Sequence, residues 1–326
     1  MRLLVIGGAG YIGSVVATRL LAAGHEVVVL DDLSTGHLDA VPAGALFVPG
    51  NIAATGQLER LLAGQVDAVL HFAARSLVGE STAHPELYWA NNVCGTQALL
   101  RSMLAAGVTR LVFSSSSATY GQPESVPITE EAPTRPTSPY GNTKLAADLM
   151  IGDQARAHGL NAVSLRYFNA AGALGQAGER HQPETHLIPN LLEVAAGRAG
   201  RVQVFGRDYP TSDGTCVRDY IHVDDLASAH LLALDATAED SGSGRHRIYN
   251  LGNGQGFSVL EVIEAARRVT GRPIPLEDAP RRPGDPAILV ASGQRIREEL
   301  GWVPARPGID QMVADAWEFT SAHPPA

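Results

Sequence analysis

Arg2-Leu3-Leu4-Val5-Ile6-Gly7-Gly8-Ala9-Gly10-Tyr11-Ile12-Gly13 opens the chain and decides its fold. Residues 2–6 are a short, nearly all-apolar run, the pattern of a parallel strand buried on both faces. The glycines at 8, 10 and 13 fit G-x-G-x-x-G, helical periodicity continues to Leu21, and Gly24 ends it. A second apolar run, Glu26 to Leu30, completes a strand-helix-strand unit. In such a unit the glycines permit a tight turn, backbone approach to a pyrophosphate and close helix-to-sheet packing, while the helix N-terminus attracts the anion. Gly7, Gly10, Tyr11, Ile12 and Gly13 are therefore candidate dinucleotide contacts.

Asp31 and Asp32 end the second run, about twenty residues past the glycines, where a carboxylate accepts hydrogen bonds from ribose hydroxyls and repels a 2′-phosphate. NAD is thus expected over NADP. Further strand-like runs at Ala45 to Val48, Asp67 to His71 and Arg110 to Ser114 alternate with helical stretches, notably Glu86 to Ala106. Alternation of this kind predicts right-handed crossovers and an α/β fold with a doubly wound parallel sheet of the Rossmann type. Ligands collect at the carboxyl ends of such strands, which singles out Asn51, Ile52, Phe72, Ala73, Ala74 and Ser114 to Ser117. For the alanines, small-residue packing is the alternative to cofactor contact. Asn91 and Asn92 interrupt the apolar stripe of the long helix, either as cofactor contacts or as helix-packing amides.

The chain of 326 residues, 45% hydrophobic and 18% charged, is ordinary for a soluble globule of one large or two medium domains. With 25 basic against 34 acidic residues, its net charge of −9 argues against broad binding to nucleic acid or anionic membranes. A phosphate ligand must then be held by local groups. Cys94 and Cys216 lie far apart, form no metal-ligand spacing and fit a reduced, cytoplasmic setting; no metal is expected. Neither a secretory leader nor an apolar run of about 18 residues is read, so no membrane partner is expected.

Ser138-Pro139-Tyr140-Gly141-Asn142-Thr143-Lys144 begins another helix, with Ser138 as cap and Pro139 at the first position. Tyr140 and Lys144, four residues apart, project from one face. A phenol titrates near 10, and moving it to about 7 takes roughly 4 kcal/mol of differential stabilisation, which a neighbouring cation is expected to supply. The implied chemistry is proton abstraction from an alcohol by Tyr140. Ser116, just past the run Leu111-Val112-Phe113, is placed to bond the same substrate oxygen, or else is one serine of a strand-end turn. No G-x-S-x-G elbow marks it as a nucleophile. The stretch Pro123 to Pro139 reads as an irregular loop.

Gly7-x-x-Gly10-x-x-Gly13, Asp31, Ser116 and Tyr140-x-x-x-Lys144 together resemble the extended short-chain dehydrogenase/reductase family. His71-Phe-Ala-Ala, Val78-Gly-Glu-Ser81, Arg166-Tyr-Phe-Asn169-Ala-Ala-Gly172, the run from Phe205 to Val223 and Tyr249-Asn-Leu-Gly252 are similar to the branch that interconverts UDP-galactose and UDP-glucose at C4. The resemblance runs from about residue 1 to residue 300. It implies Ser116, Tyr140 and Lys144 as catalytic residues, NAD as cofactor, and Asn91, Ser114, Tyr140, Lys144 and Tyr167 among the cofactor contacts. It assigns Ser116, Tyr140, Asn169, His186, Leu187, Gln203, Phe205, Arg218, Arg282, Asp285 and Leu289 to the UDP-hexose. Gly50-Asn51-Ile52 stands where many members carry Gly-Asp-Ile, and Ser76 where some have a lysine. Leu289 falls where members vary between bulky and small, a gate for an N-acetyl group, so UDP-N-acetylhexosamines are the alternative substrates. A 4,6-dehydratase would carry Asp-Glu where Ser117-Ala118 follow Ser116. A non-catalytic NAD-sensing protein would have no reason to keep Ser116, Tyr140 and Lys144 together. The resemblance further implies a homodimer packed through the helices after Glu86 and Ser138. Residues 1–169 are expected to bind NAD and 170–326 mainly the UDP-sugar in a smaller α/β domain, with some segments returning to the first.

Overall fold

A computed structural model describes residues 1–239, 244–282 and 285–324. Residues 240–243, 283–284 and 325–326 of the second expected region lie outside them. The strands are β1 Arg2–Ile6, β2 Glu26–Asp31, β3 Leu46–Pro49, β4 Ala68–His71, β5 Arg110–Ser116, β6 Asn161–Tyr167, β7 Asn169–Ala171, β8 Val202–Phe205, β9 Val217–His222, β10 His246–Leu251, β11 Gly256–Ser258, β12 Leu276–Ala279 and β13 Ile288–Leu289. The principal helices are α1 Tyr11–Ala22, α2 Thr55–Leu62, α3 Val78–Ala83, α4 Pro85–Tyr88, α5 Gly95–Ala106, α6 Pro139–His158, α7 Leu187–Ala195, α8 Val223–Glu239, α9 Val259–Thr270, α10 Gln294–Leu300 and α11 Ile309–Ala322.

Both faces of β1 are buried because helices cover the sheet on both sides. Leu3 and Val5 join one cluster with Val15, Val16 and Leu20 of α1 and Leu226, Ala227 and Leu234 of α8. Leu4 and Ile6 join the other, with Leu58 and Leu62 of α2, Leu99 and Met103 of α5, and Ala147 and Ile151 of α6. Among the described residues the main sheet has seven parallel strands in the order β10-β6-β5-β4-β1-β2-β3. The order reverses between β1 and β4, where Ile6 pairs with His71, and the crevice outside these two carboxyl ends is where such sheets bind ligands.

Regular alternation stops after β6. Strand β9 is the centre of a small sheet, flanked in parallel by β7 and β13 and antiparallel by β11, while β8 pairs with β12. A third cluster, with Ile188 and Leu191 of α7, Val262 and Ile263 of α9, and Met312 and Val313 of α11, covers these strands. Two segments cross back: α8 packs on α1, and β10 extends the main sheet beside β6.

The helical stretch expected over 86–106 is interrupted. Residues Trp89–Cys94 form a π-helical turn between α4 and α5. Such turns offset the helix face by one residue and collect at functional sites. Here the turn aims Asn92 inward: its Oδ1 accepts the Arg75 N–H at 2.8 Å, and its Nδ2 donates to the Arg75 carbonyl at 3.0 Å and to Thr143 Oγ1 at 3.0 Å. Asn92 is thus a packing amide, and Asn91 beside it faces the central cavity.

Candidate active site

A cavity of about 500 Å³ opens at the reversal of strand order. Gly7 ends β1 with φ +81°, and a Cβ there would collide with the Ala73 backbone after β4. A Cβ at Gly13 would collide with the Gly7 carbonyl oxygen. No side chain caps the N-terminus of α1, which starts after Gly10, so its first amides point at the space the glycines leave. Gly7, Gly10, Tyr11, Ile12, Gly13, Asp31, Asp32, Asn51, Ile52, Phe72, Ala73, Ala74, Asn91, Ser114, Tyr140, Lys144 and Tyr167, all expected at the cofactor, line this one cavity.

The two aspartates differ. Asp31 accepts the N–H groups of Ala9 and Leu33, both at 2.9 Å, and so ties the glycine-rich turn to the end of β2; burial pushes its carboxyl up, with those two hydrogen bonds opposing. Asp32 takes the Ser34 N–H at 2.9 Å and the Asn51 side-chain amide at 2.6 Å. Burial raises it too, but these hydrogen bonds and the Arg75 charge outweigh burial and hold it below its ordinary value.

On the opposite wall, the side chain of Ser138 caps α6 by accepting the Gly141 N–H at 3.1 Å, and Pro139 occupies the first turn, as the sequence leads one to expect. Ser116 Oγ accepts the Ala118 N–H at 3.1 Å, which fixes the hydroxyl at the end of β5. A Cβ at Gly141 would sit 2.5 Å from the Ala118 carbonyl oxygen, so glycine is what lets α6 press against this turn and brings Tyr140 to the same cavity as Ser116. Tyr140 packs edge-on against Tyr88, with ring centroids 6.4 Å apart.

Lys144 is buried on the same wall. Its Nζ donates to the Ser114 carbonyl at 2.8 Å and stands 6.0 Å from the Tyr140 ring centre. Burial lowers the ammonium to about 8, opposed by the charge of Asp148. Burial likewise raises the Tyr140 phenol, with only the Ser116 hydrogen bond pulling it down. A buried ammonium needs an acceptor, and the strand carbonyl provides one. Burial and the Lys144 charge together hold His71 at about 3, hence neutral, beneath the same wall.

Ser116, Asn169 and His186 also line the cavity. Leu187 begins α7 and is half-buried against the third cluster. Gln203, Phe205, Arg218, Arg282, Asp285 and Leu289 gather elsewhere in the smaller region. Gln203 is exposed on β8, one residue before Val204 and two before Phe205. The Arg282 guanidinium stacks 4.0 Å over the Phe205 ring, and Arg218 forms an ion pair with Asp285. Leu289 pairs in register with Arg218 and packs near Phe168, a residue of the cavity wall. Thr35, Arg75, Glu179 and His181 also line the cavity without having been singled out from the sequence. Thr35 and Arg75 follow strand ends, where the rule that ligands collect at carboxyl ends would have found them; the other two lie in a loop with no such rule.

The NAD dependent epimerase/dehydratase family matches residues 3–252. A UDP-glucose 4-epimerase of Streptomyces lividans is 58% identical over 325 residues, covering 99% of this chain and 97% of that protein. Its counterpart in Corynebacterium glutamicum is 54% identical, with 99% and 96% covered. Among solved structures, a UDP-glucose 4-epimerase from Brucella ovis in complex with NAD superposes with a TM-score of 0.93 at 45% identity, covering 98% of each chain. One from Stenotrophomonas maltophila, with bound NAD and formylated UDP-arabinopyranose, gives 0.94 at 42%, covering 99% and 98%. The chain belongs to the NAD dependent epimerase/dehydratase family, and to the UDP-glucose 4-epimerases within it.

Proposed function

We propose that this chain interconverts UDP-galactose and UDP-glucose, with Tyr140 as the acid-base, Ser116 orienting the reacting hydroxyl and Lys144 positioning both. The interconversion is NAD-dependent and passes through a 4-keto sugar. The observation that carries the reading is that Ser116, Tyr140 and Lys144 line one cavity together with the glycine-rich turn. The residues present fit NAD: Gly7 and Gly13 let the turn close on its own backbone while Gly10 faces the cavity without a side chain, α1 offers an uncapped N-terminus, and two carboxylates stand at the end of β2. Gly7, Gly10, Tyr11, Ile12 and Gly13 would face the diphosphate, and Asp31, Asp32, Asn51 and Ile52 the adenosine half. Phe72, Ala73, Ala74, Asn91, Ser114 and Tyr167 would flank the rest. Bound NAD supplies a reversible exchange of hydride with C4 of the sugar, outward from one face and back to the other.

Tyr140 takes the proton of the sugar 4-hydroxyl and later returns it, while Ser116 holds the oxygen in line. The phenol, raised by burial, needs positive charge at the moment of transfer; Lys144 delivers it through its position one helical turn away. Asn169, His186, Leu187, Gln203, Phe205, Arg218, Arg282, Asp285 and Leu289 hold the UDP portion, which leaves the hexose free to present either face. An arginine fork suits diphosphate oxygens, and a chain of net charge −9 needs such local cations. Residues 1–169 carry the cofactor and 170–326 mainly the nucleotide sugar.

The chain works as a homodimer in the cytoplasm. Supporting the dimer, Leu87, Trp89, Leu104 and Leu149 are exposed large apolar side chains on the helical segment 85–106 and on α6. Among the described residues no helix is long and apolar enough to cross a membrane, and Cys94 and Cys216 are free thiols.

Tyr140→Phe tests the central role. Conversion of UDP-galactose to UDP-glucose, followed without added NAD, should fall by about 10² to 10⁴, with UDP binding by calorimetry retained. Near-normal turnover would overturn the assignment.

A further inference from the structure

The loop between β7 and α7 carries a cluster of metal-ligating side chains, of which only His186 is also assigned to the nucleotide sugar. Glu179, His181, Glu184 and His186 each bring one donor atom, two carboxylate oxygens and two imidazole nitrogens, all within 4.8 Å of one another. Glu179 Oε1 lies 3.0 Å from His181 Nδ1 and 2.7 Å from His186 Nδ1, and Glu184 Oε1 lies 2.9 Å from His186 Nδ1. His186 Nδ1 thus faces two carboxylate oxygens, yet an imidazole nitrogen carries a single proton and makes one strong hydrogen bond. Glu179 Oε1 faces two imidazole nitrogens, His181 Nδ1 and His186 Nδ1. A divalent cation resolves the crossing at His186, because the four donor atoms lie close enough to close around one ion.

We propose that Glu179, His181, Glu184 and His186 form a four-ligand site for a divalent transition metal of the zinc class, which clamps the 179–186 loop against the cavity. Mixed imidazole and carboxylate donors suit such an ion, whereas calcium and magnesium seek six or more oxygens or retained waters. Tetrahedral bonds of about 2.0–2.1 Å place donors about 3.3 Å apart, so the close pairs part by about half an ångström while the wider pairs, within 4.8 Å, draw in by up to about 1.5 Å. Glu184 Oε1 is already held by the N–H groups of Thr185 and His186, each at 2.7 Å, the kind of outer support that orients a ligand carboxylate. Four protein donors leave no open position, which marks the site as structural rather than catalytic. Glu179, His181 and His186 line the cavity together with Tyr11, and the Tyr11 hydroxyl donates to the Gly172 carbonyl at 2.6 Å where the loop departs. The metal therefore fixes the shape of this one loop where it borders the cavity. Sequence reading found no metal because the spacing E-x-H-x-x-E-x-H belongs to a loop, where periodicity says nothing about convergence.

The test reads metal and not turnover, so its outcome is separate from that of the proposed function. The full chain is treated with a chelator, dialysed, and titrated with Zn²⁺ and with Co²⁺. Expected are about one ion bound per chain, visible d–d bands of four-coordinate Co²⁺, and a rise in melting temperature on adding Zn²⁺. His181→Ala should lose all three. Glu179→Gln, which keeps the side chain's size, guards against a His181→Ala chain that fails to fold, and should bind at least tenfold more weakly. Absence of stoichiometric binding by the parent chain, or unchanged stoichiometry and spectrum in a folded variant, would overturn the site.

Discussion

At the scale of single residues, the site sets a buried ammonium on one wall against exposed polar groups such as Asp32 and Asn51 on the other. Lys144 carries that ammonium, whose partners are a strand carbonyl and the Asp148 charge one turn further along α6. Its titration falls from the ordinary 10.5 to about 8. An unfolded chain keeps that proton until the higher value, so between these pH values the unfolded state holds more protons and this residue's contribution to stability rises with pH. Below about pH 8 the folded chain carries the whole desolvation cost. Lys144→Met should be more stable than the parent, relative to its neighbours' effects, at pH 7, with the gap narrowing towards pH 9.5. Melting temperatures of the nucleotide-free proteins across that range check this, and a gap independent of pH would contradict it.

At the scale of elements, the site depends on the contact between the start of α6 and the turn after β5. Two features make it. The Ser138 cap, worth about 1 kcal/mol in comparable helices, fixes where α6 begins. Gly141 then removes the one atom that would hold the helix away from Ala118. Gly141→Ala should shift Tyr140 off Ser116 and cost at least tenfold in kcat, while NAD content, read from the absorbance of the purified protein, stays unchanged because the glycine-rich turn is untouched. The π-turn at 89–94 does comparable work on the other side, since it points Asn92 at both the Arg75 backbone and Thr143 and so braces α6 against the loop after β4.

At the scale of the whole molecule, the two halves are interleaved rather than joined end to end. Helix α8 completes the core under β1, and β10 completes the sheet, although both lie beyond residue 220. What remains outside the interleaving is the apolar surface of α5 and α6. Leu149, 62% exposed, is the most uncovered leucine there. Leu149→Arg places a charge where the proposed dimer would bury it, an arrangement costing several kcal/mol. The parent chain should elute as a dimer and the variant as a monomer in size exclusion with light scattering; a dimeric variant would move the interface elsewhere.

The first five strands were legible in the sequence for a physical reason. A strand buried on both faces must be apolar throughout, and its neighbours are joined by amphipathic helices, so β1, β2, β4 and β5 were readable within a residue or two and β3 with a one-residue shift. The glycine-rich turn and the pair Tyr140 and Lys144 were equally legible, because their chemistry resides in residues close in the chain. The strands of the smaller region, as short as two residues, hold no period long enough to read. That Arg282 stacks on Phe205, that Arg218 meets Asp285, that Lys144 turns to the Ser114 carbonyl, and that Glu179, His181, Glu184 and His186 converge on one point was decided only by tertiary structure. Local sequence fixes which groups share a helix face or end a strand, whereas burial and the need of each buried polar group for a partner choose which distant groups finally meet.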